Sequence, residues 1–231
     1  MNWNLRTWRS GLRLTSALIM LAFVICHLVA HSFLLVSIAL ADPVRDALMA
    51  PWRTWIGTVI LSAAVLVHYG NALWSIYIRR SLRLNRWEWA QLSLGLCIPL
   101  LLIPHIVSTR IAESMLDVNV FYTTMFIVLW VLAPWLGVVQ ALAVLAVWTH
   151  ACIGIHYWLR TKRWYPEWRP YFFAFALLLP ALSLAGFVTG GNQVRREAKQ
   201  KDFSTFVLDD ANLTPATMGG IVRIEYVGWG L

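Results

Sequence analysis

Residues 146–160 read AVWTHACIGIHYWLR, and this stretch decides the fold. It is an apolar helix body with one histidine, His150, well inside it. Gly154 follows one turn later, and His156 and Arg160 mark the exit to water. An ionisable side chain inside a lipid-spanning helix is costly, so its default meaning is functional. Working outward, three more apolar runs carry a histidine at similar depth: His27, His68 and His105.

The composition agrees with a membrane setting. Only 13% of residues are charged, about half the share of a soluble domain. Apolar runs of about twenty residues recur, each long enough for a hydrocarbon core of roughly 30 Å. The expected class is all-α: an integral membrane helical bundle of five transmembrane helices. The first run is too long, and lacks a small-residue cleavage site, to be a removable signal peptide. The net charge of +8 does not point to nucleic acid, because the basic residues cluster between apolar runs. Cys26, Cys97 and Cys152 lie inside expected helices and offer neither a disulfide framework nor metal-ligand spacing.

The expected helices cover residues 14–40, 54–78, 90–112, 134–159 and 171–189. The stretch 41–53, ADPVRDALMAPWR, reads as an outer connection, and 113–120 as an outer loop. Residues 121–159 are too long for one straight crossing and break at Pro134, so 121–133 reads as interfacial or partly re-entrant. Residues 1–190 form the membrane domain and 191–231 a polar, periplasmic tail. The tail's last stretch, IVRIEYVGWGL, reads as a short strand or the lead into a sixth helix. Three segments (1–13, 79–89 and 160–170) hold eleven Lys and Arg, against Arg45, Arg53 and Arg110 on the other side before the tail. The positive-inside rule then places the N-terminus on the cytoplasmic side.

Depth sorts the histidines. At about 1.5 Å per residue, His27 and His105 lie roughly 20–21 Å from the inner face, and His68 and His150 roughly 21–24 Å from the outer face. Two level pairs result: His27 with His105 nearer the outer face, His68 with His150 nearer the inner. A haem standing between helices takes one axial imidazole from each side at one height, and bundle cores commonly house such cofactors. The expectation is two bis-histidine haems between the first four helices, with His27, His105, His68 and His150 as iron ligands. His31 lies one turn beyond His27 on the same face. It reads as an alternative ligand, a propionate partner or part of a quinone pocket. His156 reads as a propionate contact or an interface residue. Arg110, Arg79 and Arg160 read as propionate partners or snorkelling charges. Gly70 and Gly154 would let a flat macrocycle approach the backbone.

One histidine in each of the first four helices resembles the diheme cytochrome b anchors of succinate:quinone oxidoreductases and fumarate reductases. Finer motifs are HLVAHSFLLVSIAL, WRTWIGTVIL, HYGNALWSIYIRRSLRL, WAQLSLGLCIPLLLIPHIVSTR and HACIGIHYWLRTKRWYP. Together they are similar to the membrane anchor of certain bacterial class III adenylate cyclases, over roughly residues 12–190. That resemblance implies two haem b groups, electron exchange with quinone or quinol, and a cytoplasmic cyclase output domain working as a homodimer. Nothing in the chain resembles a cyclase catalytic domain or a ferredoxin-like domain; the resemblance implies a sixth helix returning the chain to the inside, so the sequence reads as an isolated anchor or a truncated chain. One alternative is a respiratory cytochrome b subunit docking a flavoprotein and an iron–sulfur subunit on the inner surface. Another is a non-haem metal enzyme, since HxxxH in the first helix faintly resembles membrane di-iron oxygenases. A transporter or channel is disfavoured, because no acidic residue lies in any helix core.

Overall fold

The computed structural model describes residues 3–79, 83–111 and 121–200, the side chains of 3–7 and 111 excepted. All regular structure among them is helical. Helix α1 (Trp3–Ser32) includes the basic lead and closes in a 3-10 turn at Phe33–Leu35. Helix α2 (Ile38–Arg53) occupies the expected outer connection. Helix α3 (Trp55–Tyr77) matches its expected span within a residue. Helix α4 (Arg86–Ile106) continues as a π-helical stretch over Val107–Ile111. A short helix α5 (Tyr122–Phe126) runs into a π-helical turn at Ile127–Leu132. Helices α6 (Pro134–Leu159) and α7 (Tyr165–Gln200) complete the bundle. Among the described residues five helices are long and apolar enough to cross a membrane: Trp8–Leu35, Trp55–Tyr77, Arg86–Arg110, Pro134–Leu159 and Tyr165–Gln200. Their large apolar side chains face outward, as Leu66 at 73% and Phe173 at 64% exposure show. That arrangement suits lipid, not water.

Three boundaries differ from expectation, each for a local reason. Residues 41–53 are helical, not a loop, because the Ser37 hydroxyl caps α2 by accepting the Leu40 N–H at 3.1 Å. Ile38, Ala41 and Met49 bury one side of it. Asp42–Arg45 (2.9 Å), Arg45–Asp46 (2.9 Å) and Arg53–Asp46 (3.2 Å) pair its charges. Helix α4 starts at Arg86 because Asn85 opens a capping box. Its Oδ1 accepts from Trp87 N and Glu88 N, and Glu88 Oε2 accepts from Asn85 N, all at 3.0 Å. Asn85→Ala is expected to lower stability by about 1 kcal/mol, read as a lower Tm in detergent; an unchanged Tm would show that the cap carries nothing. Helix α7 starts earlier and ends later than residues 171–189. It passes through Gly190 and Gly191, because a Cβ at either would run into the rings of Phe126 or Trp130. These glycines serve close packing, and the chain beyond residue 190 stays helical to Gln200. The expected outer loop 113–120 and the expected terminal strand lie outside the described residues.

The segment expected to be interfacial or partly re-entrant is short and deeply covered. Phe126, Ile127 and Val128 are at most 2% exposed. At about 1.5 Å per residue its eleven residues cannot cross a bilayer. Asp42 clasps it from α2, its Oδ1 accepting the Tyr122 N–H at 3.1 Å. Burial pushes the Asp42 carboxyl above its ordinary range, against the lowering pull of that N–H and of Arg45.

The long helices make two layers. Helix α1 runs closely along α3, and α4 along α6, whereas the two pairs do not run closely along each other. Helix α7 lies along α1 and, over a shorter length, α6. Long side chains join the layers at mid-height, where Leu28, Trp148 and Leu179 cluster. Helix α4 carries Pro99 and Pro104 within its run, and beyond them the hydroxyls of Ser108 (3.3 Å) and Thr109 (2.6 Å) donate to the His105 carbonyl.

Candidate cofactor site

The histidines fall between the two layers. His68 on α3 faces His150 on α6, with ring centroids 6.3 Å apart and planes at 81°. His27 on α1 faces His105 on α4, at 5.7 Å and 70°. Each pair therefore takes one imidazole from each layer. Two imidazoles on opposite sides of one metal, with bonds of about 2 Å and about 1 Å from ring nitrogen to ring centre, have centroids about 6 Å apart. Both pairs meet that separation. All four rings are half-buried.

Neighbouring groups orient the inner pair. His150 Nδ1 donates to the main-chain carbonyl of Gln91 at 3.0 Å. That bond fixes the tautomer and leaves Nε2 with its lone pair, as ligating imidazoles require. Nε2 is met by the Gln91 side-chain amide at 3.4 Å, and the Oε1 of that amide is buried without a partner. A side chain so poorly satisfied yields easily to a stronger partner for Nε2. Gly95 makes room for the ring, since a Cβ there would lie 2.9 Å from His150 Cε1. His68 Nδ1 sits 3.4 Å from Ser16 Oγ, which is buried and donates in turn to the Arg13 carbonyl at 3.0 Å. His68 thus also keeps Nε2 for the space between layers.

At the outer pair three imidazoles converge. His27 Nε2 and His31 Nε2 are 3.2 Å apart, so one donates to the other. The His27 ring stacks on Phe23 (5.7 Å, 12°), and the His31 ring meets Tyr122 edge-on (5.2 Å). Of the two α1 rings, His27 is the one set against His105 at ring-contact distance. Among the described residues no set of three or more histidine, cysteine or carboxylate side chains is arranged to hold a bare metal ion. A haem iron asks the protein for only two axial donors.

The remaining expected residues are placed as follows. His156 is exposed, and its Nδ1 bonds the Tyr165 hydroxyl at 2.8 Å, tying the end of α6 to the start of α7. It does not join either pair. Arg110 reaches from the π-helical end of α4 to Thr58 Oγ1 on α3 at 3.0 Å, bridging the layers near the outer pair. Arg160 lies over the Tyr157 ring at 4.4 Å. Gly154 faces Gln91, whose Nε2 would be 3.3 Å from a Cβ there, and Gly70 faces open space. Sequence reasoning misses Ser16, Gln91 and Gly95; a serine or glutamine inside an apolar run is the signal that marks the first two. The three cysteines are free thiols. No family model, curated protein or solved structure matches this chain.

Proposed function

We propose that the chain is a haem b-binding anchor of a bacterial inner membrane, with its N-terminus in the cytoplasm. It exchanges electrons with the quinone pool and passes the redox state to a class III adenylate cyclase output domain, as a homodimer. The observation that carries the haem reading is the two imidazole pairs, each drawn from opposing layers at the separation of two trans ligands. His27 and His105 would hold the outer haem, and His68 and His150 the inner. Haem b supplies one-electron redox chemistry, at a potential tuned by its axial ligands and their hydrogen bonds. The chain's own part is orientation. The Gln91 carbonyl and Ser16 fix the Nδ1 side of the inner ligands. Arg110 places a cation at the outer end, where propionates would need one. The orientation in the membrane rests on eleven basic residues against three. The cyclase output rests on the motif resemblance.

The test is the spectrum of the purified, dithionite-reduced protein with a haem count per chain. The expected result is split low-spin α-bands and two haems b per polypeptide. A colourless protein from haem-replete cells would overturn the proposal.

A further inference from the structure

We propose that α1 supplies the outer site with two interchangeable axial donors, His27 and His31. This rests on the haem reading above and assigns His31 a role that reading leaves open. The two Nε2 atoms are 3.2 Å apart on one face of one helix, and the His27 ring stands 5.7 Å from that of His105, so the two α1 donors share one neighbourhood beside His105. An iron takes a single donor from that side, and the second imidazole stays within hydrogen-bond reach of the first.

The geometry also balances the exchange. With His27 as donor, its Nε2 lone pair would be taken by the iron, and His31 keeps its Nε2 proton. If His31 takes over, His27 Nε2 regains its lone pair on release and would accept the Nε2 proton of His31 across the 3.2 Å that separates them. One iron–nitrogen bond breaks and one forms, with no net gain of protons or electrons. The two arrangements differ in surroundings. The His27 ring rests on Phe23 within α1, whereas His31 touches Tyr122 of α5, and its carbonyl lies against Gly186 of α7. The inner site has no such spare among the described residues: α3 and α6 bring one imidazole each to the space between layers.

The experiment compares wild type, His27→Ala, His31→Ala and the double variant by haem per chain and by low-temperature EPR of the oxidised protein. Each single variant is expected to keep two haems, and the double variant to keep one. The haem left in the double variant reports an intact bundle. Oxidised wild type is expected to show two outer-site low-spin signals, of which His31→Ala removes one. If His27→Ala alone falls to one haem, the donor is fixed and the inference is overturned. It is equally overturned if His31→Ala falls to one, or if wild type shows a single outer signal that His31→Ala leaves unchanged. A wild type without haem would instead overturn the function proposed above, so the two failures are distinct.

Discussion

His68→Ala and His150→Ala are each expected to cut the haem content from two per chain to one. The remaining haem should keep its low-spin signature. The reason is the layer arrangement. The inner pair has one imidazole from α3 and one from α6, 6.3 Å apart, and among the described residues no third imidazole stands beside either. Removing one leaves a single axial donor and a cavity where the ring stood, so affinity falls far more than the 10–100-fold of a lost orienting partner. The outer site is served by other side chains on α1 and α4, so it should be spared. Pyridine haemochrome per milligram, with circular dichroism to verify unchanged helix content, gives the answer. His156→Ala is the control: that ring bonds Tyr165 away from both pairs, and two haems should remain. Two haems in both His68→Ala and His150→Ala would mean that the inner imidazoles bind no iron.

How much of this is legible in the sequence depends on what each signal measures. Helices α3 and α6 are legible nearly to the residue because the sequence carries their starts: Thr54, whose hydroxyl accepts the Gly57 N–H, and Pro134 at the first turn of α6. The pairing of His27 with His105 and His68 with His150 is legible because rise per residue is nearly constant, so depth can be counted. Side-chain direction cannot be counted that way. Counting puts His31 one turn beyond His27, about 6 Å by the helix rise. Side chains on a helix lean toward its N-terminus, and the two rings in fact meet at hydrogen-bond distance. Helix α2 escapes a sequence reading because balanced charge and two prolines mimic a loop. The charges pair along one helix face, and Ser37 supplies the cap. Gly190 and Gly191 imitate a helix stop for the same kind of reason. Composition shows the missing side chain but not the aromatic ring that needs the space.

Gly186→Leu tests the bundle without reference to any cofactor, and its expected effect on stability is large. A Cβ at Gly186 would fall on the carbonyl oxygen of His31 and 3.2 Å from Leu34 Cβ. The first of these is main chain, so no rotamer change relieves the overlap; α1 and α7 must separate. Close approach of that kind is what small residues provide where membrane helices cross. Overpacking normally costs about 1–3 kcal/mol, and an unyielding backbone partner puts this substitution at about 3 kcal/mol or more. The expected readout is a large fall in Tm for the detergent-solubilised protein. Gly70→Ala, where nothing lies within 4 Å of the added carbon, should not lower Tm. Because the displaced carbonyl belongs to His31, the strain enters at the outer imidazole cluster first. The outer haem should therefore be lost at a lower temperature than the inner one, a difference that heating followed by absorbance at the split α-bands would resolve. An unaltered Tm in Gly186→Leu would mean that α1 and α7 do not cross at this point, and the layer arrangement that sets His27 against His105 would fall with it.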